Sequence, residues 1–374
     1  MRTDSLEYPL APDRIAQHPR EPRDHARLLV DRGPAAAPAH HEVRDLPGLL
    51  EPGDLVVVND TRVLPARVAV CRDSGGSGEV LLLEDRGDGW WEALCRPSRK
   101  LVEGRVVTST GGAIAFEMGV ELGDGRRLVR PHAPAGPGGD RGGQGAGQHG
   151  GGERGGDAWL LGALATDGEM PLPPYITAHL DDPERYQTTF ARRPASAAAP
   201  TAGLHLTDAV FATLAQRGVG VARVELVVGL DTFRPVTTEL VEDHPIHTEH
   251  YDVPAATWAA VQEARAAGGR VVAVGTTSVR ALESAAHRGT PAGRTDLFIT
   301  PGFDFAVVDL MMTNFHLPRS SLLALVEAFV GPRWRDLYAT AAAEGYRFLS
   351  FGDAMLLERA PVGARGAAPA GSTS

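Results

Sequence analysis

The chain has 374 residues, of which 43% are hydrophobic and 22% are charged, and its formal net charge is −10. This composition excludes a wholly disordered chain, a collagen and a coiled coil, and the length predicts two or three domains. The acidic balance argues against non-specific nucleic-acid binding, although it leaves room for a local basic patch.

The sequence of residues 53–130 predicts short strands, because β-branched and alternating runs are typical of them. The runs are Leu55–Val58, Arg67–Cys71, Glu79–Leu83, Trp90–Cys95 and Arg105–Ser109. Asp73–Gly78 separates two of these runs and predicts a hairpin connection. Short strands at this spacing predict a small antiparallel barrel or sandwich.

Residues 131–157 interrupt this pattern. Twelve of the 21 residues from Gly136 to Gly156 are glycine, and such a stretch cannot bury enough apolar surface to offset its ordering entropy. We therefore predict a flexible loop without helix or strand. The tail, residues 361–374, is rich in Ala, Gly, Pro and Ser and is predicted to be disordered.

After residue 200, strands and helices alternate, which predicts an α/β domain with largely parallel strand pairing. The predicted strands are Val221–Val228, Arg270–Val274 and Val307–Met311. The predicted helices are Thr207–Arg217, Ala255–Ala267, Ser278–Arg288, Ser320–Val330 and Arg333–Glu344. The fold class predicted for the whole chain is mixed α/β.

The two cysteines, Cys71 and Cys95, are too few for a disulfide framework or a four-thiolate zinc site. Such sparse cysteine is typical of a reducing compartment, so we expect a cytoplasmic protein. The first 25 residues contain no apolar run of signal-peptide length, and no run elsewhere reaches membrane-span length.

The clearest candidate binding site is a strand followed by a glycine turn and three hydroxyl residues. The predicted strand Arg270–Val274 leads into Gly275, Thr276, Thr277 and Ser278. Free backbone N–H groups at the start of the next helix can hold a phosphate or the carboxylate of an amino-acid-like ligand. Ordinary helix capping explains the same residues equally simply.

Two other polar turns, Pro200–His205 and Thr313–Pro318, bring histidines next to predicted helices. In the first, His205 stands beside backbone donors, where it can act as a base or position a ligand; a histidine that only caps the helix is the alternative. The second follows a predicted strand, and ligands of α/β sheets bind where strands end.

Polar residues also follow the first predicted strand. Within Asn59–Arg62, Asp60 can accept ribose hydroxyls or act as a base; an Asx turn with a surface salt bridge is the alternative. The densest basic cluster, Arg96–Lys100, can contact phosphates or form a solvated loop.

Three histidines, His244, His247 and His250, are spaced by three residues, as metal ligands on a helix can be. Pro245 disfavours a continuous helix through them, and no cysteine joins the group. We therefore predict no metal site.

Taken in chain order, these motifs resemble the S-adenosylmethionine:tRNA ribosyltransferase-isomerase family of queuosine biosynthesis. The matching stretches are Leu28–Val30, Gly53–Arg67, Met170–Ile176, Arg185–Thr188, Ala198–His205, Thr232–Val236, Glu242–His244 with His247, Ala273–Arg280, Thr313–Pro318, Tyr346–Phe348 and Gly352–Met355. The resemblance covers about residues 5–357 apart from the glycine-rich insert.

The resemblance implies a larger α/β catalytic domain, residues 1–62 and 161–360, with a small antiparallel β-barrel inserted at 63–160. It implies transfer and isomerisation of the ribosyl part of S-adenosylmethionine onto 7-aminomethyl-7-deazaguanine at the tRNA wobble position. Epoxyqueuosine, adenine and methionine are the implied products. S-adenosylmethionine is a consumed substrate, so no cofactor and no metal are implied, and we expect a monomer without membrane association.

This chemistry requires a base for the carbon beside the sulfonium, a neutral amine nucleophile and stabilisation of the leaving adenine. The predicted catalytic residues are His205, His316 and Asp60. The predicted substrate-binding residues are Asn59, Arg62, Thr201, Gly203, Gly275, Thr276, Thr277, Ser278 and Asn314. The predicted tRNA contacts are Arg96, Lys100, Arg234 and Arg280.

The sequence departs from the family pattern at Glu169, Val227, Asp231, Thr300 and Ala306. Asp231 replaces a glycine and adds a charge and a Cβ where a ligand can approach closely. One alternative is therefore a relative that uses S-adenosylmethionine on a different acceptor, for example a small molecule. A non-catalytic RNA-binding protein is the other, although binding alone does not require His205, His316 and Asn314.

Overall fold

The computed structural model describes residues 1–72, 75–134, 154–229, 235–246 and 248–361. The chain folds into two compact units. The first unit comprises Met1–Arg62, Pro173–Arg193 and the chain from Ala199 onward; the second comprises Val63–Leu172 and Pro194–Ala198. The barrel unit thus extends twelve residues beyond the boundary at 160 that the resemblance implies.

Within the described ranges the strands alternate with helices mainly in the second half of the chain. The strands are β1 (Arg27–Asp31), β2 (Ala39–Glu42), β3 (Leu55–Asn59), β4 (Thr61–Val63), β5 (Arg67–Cys71), β6 (Ser77–Gly87), β7 (Trp90–Arg96), β8 (Val106–Ser109), β9 (Ala115–Gly123), β10 (Arg126–His132), β11 (Gly168–Glu169), β12 (Arg193–Ser196), β13 (Gly220–Leu226), β14 (Glu249–Asp252), β15 (Val271–Val274), β16 (Ala292–Thr295), β17 (Leu310–Asn314) and β18 (Ala354–Glu358). The α-helices are α1 (Leu46–Leu49), α2 (Arg154–Asp167), α3 (Asp208–Gln216), α4 (Ala255–Ala266), α5 (Thr276–Arg288), α6 (Ser321–Val330) and α7 (Trp334–Ala343).

The first unit is built on a nine-stranded mixed sheet in the order β16-β14-β13-β3-β15-β17-β18-β1-β2. Its central strands β13, β3, β15 and β17 are parallel. Every residue of β3 and β15 is buried, as expected of parallel strands covered on both faces. The predicted parallel pairing therefore applies to the centre of the sheet.

The outer pairs of this sheet are largely antiparallel, which the sequence pattern did not predict. β14 pairs antiparallel with β13 and with β16, and β2 pairs antiparallel with β1. β1 and β2 are joined by residues 32–38 alone, and a connection this short permits only antiparallel neighbours. β18 enters between β17 and β1, antiparallel to the former and parallel to the latter.

Several helices of the first unit begin at a hydroxyl cap. The Thr207 side chain accepts a hydrogen bond from the Val210 N–H at 3.4 Å, and Ser320 accepts one from Leu323 at 3.2 Å. Both caps stand one residue before their helix, where the sequence predicted the first helical residue. α5 begins at Thr276, two residues earlier than predicted.

The second unit contains the predicted barrel. Strands β5, β6, β7, β10, β9 and β8 form an antiparallel sheet in that order, and pairing of β5 with β8 closes it. Its β10 extends to His132 and α2 begins at Arg154, so both enter the range predicted to be a loop. Residues 135–153, Asp73, Ser74 and the tail from 362 lie outside the described residues.

The described helices include none with both the length and the apolar character needed to cross a bilayer.

One buried carboxylate at the start of β3 should make stability depend on pH. Asp54 accepts hydrogen bonds from the backbone N–H of Arg270 at 2.9 Å and from its Nη2 at 2.6 Å. Burial alone raises the pKa of Asp54, but the hydrogen bonds from Arg270 and Glu51 outweigh burial and lower it. Because the folded pKa is the lower one, this contribution is present above the unfolded pKa and is lost as the pH falls through the folded value.

We expect Asp54→Asn to lower the free energy of unfolding at pH 7 by about 1–3 kcal/mol. The difference from the wild type should shrink as the pH falls below about 4, because the wild-type carboxyl then becomes protonated. Urea unfolding at several pH values measures this, with Asp181→Asn as the control because that side chain is 99% exposed. A difference that stays constant with pH contradicts the assignment.

Candidate active site

A cavity of about 50 Å³ lies in the first unit, at the carboxyl ends of β15 and β17. Gly275 and Thr276 follow β15, Thr313 and Asn314 end β17, and His316 comes two residues later. In open α/β sheets this edge is where ligands bind. Pro200, Thr201 and Ala202 also line the cavity, so it brings together three of the polar turns predicted from the sequence.

The first turn of α5 presents backbone donors and hydroxyl groups to the cavity. Gly275 has φ +87° and ψ 150°, a conformation essentially reserved for glycine, and its N–H donates to the Met312 carbonyl at 2.7 Å. Thr276 and Thr277 line the cavity, and the Thr277 hydroxyl oxygen is buried without a hydrogen-bond partner in the described chain. This arrangement suits a carboxylate or another anion.

Ser278 differs from its two neighbours. It is fully buried, and its hydroxyl donates to the Val274 carbonyl at 2.7 Å. That bond ties α5 to the end of β15, so Ser278 supports the turn and Thr277 offers the free hydroxyl.

A chain of hydrogen bonds joins the third polar turn to the cavity. The Thr201 hydroxyl donates to Asn314 Oδ1 at 2.9 Å, and Asn314 Nδ2 lies 3.2 Å from His205 Nε2 and 3.3 Å from the Asp353 carbonyl oxygen. Because an amide nitrogen only donates, His205 Nε2 accepts and the ring carries its proton on Nδ1. Thr201 and Asn314 line the cavity, whereas His205 lies behind Asn314.

His316 is the histidine that lines the cavity itself. Its Nε2 lies 2.9 Å from the Thr313 hydroxyl, and its backbone N–H donates to the Tyr338 hydroxyl at 2.9 Å. Within the described chain its Nδ1 has no hydrogen-bond partner. The ring is thus fixed on one side and open on the other, as expected of a group that exchanges a proton with a ligand.

Both histidines are neutral at pH 7. Burial lowers the pKa of His316 to about 3. Burial, followed by the charges of Arg347 and Arg23, also lowers the pKa of His205 to about 3. Each ring therefore stays uncharged across the physiological range, and the lone pair of His205 on Nε2 accepts from Asn314.

Besides His205 and Ser278, four other predicted site residues do not line the cavity. Asn59 uses its side chain to hold β13, donating to the Leu226 carbonyl at 3.0 Å. Asp60 lies between Arg223 at 3.7 Å and Arg192 at 3.8 Å, and burial raises its pKa despite those charges. The other two also face other partners: Arg62 is paired with Glu184, and a Cβ on Gly203 would lie 2.9 Å from the ring of Phe190.

The predicted tRNA contacts are dispersed. Arg280 is largely buried, forms an ion pair with Glu249 and donates to the Leu297 carbonyl at 3.1 Å. Arg96 and Lys100 are exposed in the second unit, so they remain available to a partner. Arg234 lies outside the described residues.

The departures from the family pattern do not alter the cavity where the structure describes them. Glu169, Val227, Thr300 and Ala306 are absent from its lining, although Val227 precedes the lining residue Val228. Asp231 lies outside the described residues.

The lining residues that the sequence did not predict include two with hydroxyl groups in contact, Tyr175 and Ser350. Tyr175 and Ser350 join their hydroxyls at 2.7 Å across the cavity wall. Tyr175 belongs to the stretch Met170–Ile176, which resembles the family, so the sequence could have indicated it as a site residue. Ser350 follows Leu349, which has φ +68°, and no sequence pattern predicts that turn.

Among the described residues, no group of three or more histidine, cysteine or acidic side chains can hold a metal ion. His247 lies outside them, so the described part of the histidine triplet is His244 and His250.

Comparisons with known proteins agree with the sequence resemblance. A family model described as "Queuosine biosynthesis protein" matches residues 3–357. Proteins named S-adenosylmethionine:tRNA ribosyltransferase-isomerase from Rubrobacter xylanophilus and Gloeobacter violaceus are each 48% identical to this chain, over 96% and 95% of it and over 98% and 95% of their own lengths. A crystal structure of S-adenosylmethionine tRNA ribosyltransferase from Thermotoga maritima matches 94% of this chain and 99% of its own, with 33% identity and a TM-score of 0.52. With a family match over nearly its whole length and relatives at this identity, the chain belongs to the queuosine biosynthesis protein family.

Proposed function

We propose that this protein is an S-adenosylmethionine:tRNA ribosyltransferase-isomerase. It transfers and isomerises the ribosyl part of S-adenosylmethionine onto 7-aminomethyl-7-deazaguanine in tRNA, giving epoxyqueuosine and releasing adenine and methionine. The names and near-complete coverage of the relatives support the activity. The structural observation that carries it is the meeting of the α5 N-terminus, Asn314 and a neutral His316 in one cavity.

The first turn of α5 is proposed to hold the methionine carboxylate. The backbone N–H groups after Gly275 point toward the cavity end of the helix, where the helix dipole favours an anion. The free Thr277 hydroxyl can donate a further hydrogen bond to a carboxylate oxygen.

His316 is proposed to remove the proton from the carbon next to the sulfonium. The positive sulfur acidifies that carbon, and the open Nδ1 of a neutral imidazole can accept the proton. Thr313 fixes the ring through Nε2. This assignment keeps one of the two predicted histidines as the base and moves the other to a supporting role.

His205 is proposed to be a positioning residue. It accepts from Asn314 Nδ2, so it orients the amide that lines the cavity and that can hold ribose hydroxyls or a base edge. Asp60 remains a predicted catalytic residue that lies outside the cavity wall.

S-adenosylmethionine enters this scheme as a substrate that is used up, without a further cofactor or a metal. A cytoplasmic location, a monomeric state and the absence of membrane association remain proposals of the same kind.

Adenine release from S-adenosylmethionine by the purified protein tests the proposal. The assay is run with tRNA that carries 7-aminomethyl-7-deazaguanine, with unmodified tRNA and without tRNA. Release that depends on the modified tRNA supports the proposed reaction. Binding of S-adenosylmethionine without release would move the assignment to a relative with another acceptor, and a tRNA gel shift without release would indicate a non-catalytic binding protein.

A further inference from the structure

The first unit has a second, open cavity of about 370 Å³, which we call the arginine cleft. Three of its lining residues are Arg20, Arg27 and Arg44, and Glu42 and Asp45 also line it. The whole chain carries a net charge of −10, whereas this cleft has three guanidinium groups against two carboxylates.

Arg20 is the guanidinium in this cleft that lacks a close partner. Its nearest carboxylate oxygen, Asp353 Oδ1, is 4.0 Å from Nε, and that buried Nε has no hydrogen-bond partner among the described residues. The side chain is 39% exposed, so the rest of the group is open to a ligand. The exposed part of the Arg20 guanidinium can therefore bind an anion.

Asp353 cannot neutralise Arg20 fully, because its carboxylate already accepts hydrogen bonds from other groups. The carboxylate is completely buried and accepts the backbone N–H of Arg27 at 3.0 Å and that of Arg347 at 2.8 Å. Arg347 Nη2 also lies 4.0 Å from it, and Nε and Nη2 of Arg347 have no hydrogen-bond partner in the described chain. One carboxylate thus faces two guanidinium groups.

The two guanidinium groups beside Asp353, those of Arg20 and the half-buried Arg347, also repel each other. Burial lowers the pKa of Arg347, and the charge of Arg20 lowers it further against the opposing effect of Asp353. A bound anion beside Arg20 relieves this repulsion.

The acidic residues that line the cleft are occupied elsewhere. Glu42 and Asp45 form a capping box, in which each side chain accepts a backbone N–H of the other's segment. Glu42 also pairs with Arg44 at 2.7 Å. These carboxylates stabilise a turn, so they leave Arg20 free.

Arg20 connects the cleft with the candidate active site. It also lines a small neighbouring cavity, together with Arg23, Arg185 and His205. His205 in turn contacts Asn314 of the active-site cavity. Arg20 therefore borders both the arginine cleft and the small cavity that His205 lines.

We propose that the arginine cleft binds a backbone phosphate of the tRNA substrate, with Arg20 as its main contact. The inference rests on the proposed function, which supplies the RNA. Guanidinium groups match phosphate oxygens in charge and geometry. A protein of net charge −10 gains no general attraction for RNA, so its affinity depends on such local sites.

The test measures binding of an unmodified tRNA transcript to the full chain at several KCl concentrations. We expect Arg20→Gln to weaken binding about 5- to 10-fold and to reduce the slope of log affinity against log salt by about one. Arg20→Glu should weaken binding further. The matched control is Arg265→Gln, an exposed arginine on α4 of the same unit, which should bind as the wild type does.

Wild-type affinity and slope in both Arg20 variants overturn the proposal, and so does a wild-type protein that binds no tRNA. Thermal unfolding of each variant verifies that the exposed substitution has not disturbed the fold. Adenine release by the wild type is measured in parallel. If the wild type releases adenine but the Arg20 variants bind tRNA as the wild type does, only the proposed phosphate site is refuted. If the wild type releases no adenine, the proposed reaction is refuted.

Discussion

Replacement of His316 by alanine is expected to lower kcat for adenine release by about 100- to 10,000-fold, the usual contribution of a general base. The ring lines the cavity, is held by Thr313 through Nε2 and keeps Nδ1 open. Because burial lowers the pKa of His316 to about 3, protonation of this ring should not change kcat near pH 6.5. Steady-state kinetics between about pH 5 and 8 measure both effects.

Two further variants separate catalysis from support. His179→Ala removes a histidine that is 87% exposed in the same unit and should leave kcat unchanged. His205→Ala should also lower turnover, because Asn314 Nδ2 then keeps only the Asp353 carbonyl as an acceptor, but His205→Gln can still accept from Asn314 and should recover part of the rate. A fully active His316→Ala enzyme excludes His316 as the base.

Gly352→Ala is expected to lower the free energy of unfolding by about 2–4 kcal/mol. A Cβ at this position would lie 2.5 Å from the Arg347 carbonyl oxygen and 2.5 Å from the Phe348 carbonyl carbon. Both are backbone atoms, so neither can move aside as a flexible side chain does. The turn must open, and it carries Ser350 at the cavity and Asp353 beneath the arginine cleft.

Urea unfolding measured by circular dichroism checks this prediction. Gly48→Ala is the matched control, because no atom lies within 4 Å of its Cβ position and the residue belongs to α1. Alanine there should change stability by less than about 1 kcal/mol, in the stabilising direction. Equal unfolding midpoints for the two variants contradict the steric argument.

The fold could be predicted where local signals were strong. β3 and β15 are continuous valine-rich runs, and α3 and α6 start at hydroxyl caps, so these elements lie within a residue or two of their predicted positions. β9 and β18 were missed for two different reasons. Glycines and charges break the alternation of Ala115–Gly123, and the short apolar run Ala354–Glu358 fits a strand or a helix equally. α2 was also missed, because Arg154–Asp167 contains three glycines, which disfavour a helix.

The site was predictable as a set of sheet-edge turns, but the direction of each side chain was not. Gly275 and Asn314 end neighbouring strands and meet in the cavity. Asn59 ends β3, the other neighbour of β15, yet its amide faces the β13 backbone. Residue type and strand order give the edge of the sheet, whereas the hydrogen-bond partners across it decide which side chains face the ligand.

The position of β1 has a consequence for how the chain is made. β1 pairs with β18, and the Arg27 N–H finds its acceptor in Asp353, 326 residues later. At synthesis rates of about 5–20 residues per second, roughly 15–60 s pass between the synthesis of β1 and that of β18. The barrel strands from β5 to β10 are all translated within that interval. Co-translational folding should therefore complete the barrel first and leave the edge of β1 that faces β18 unpaired until β18 is made.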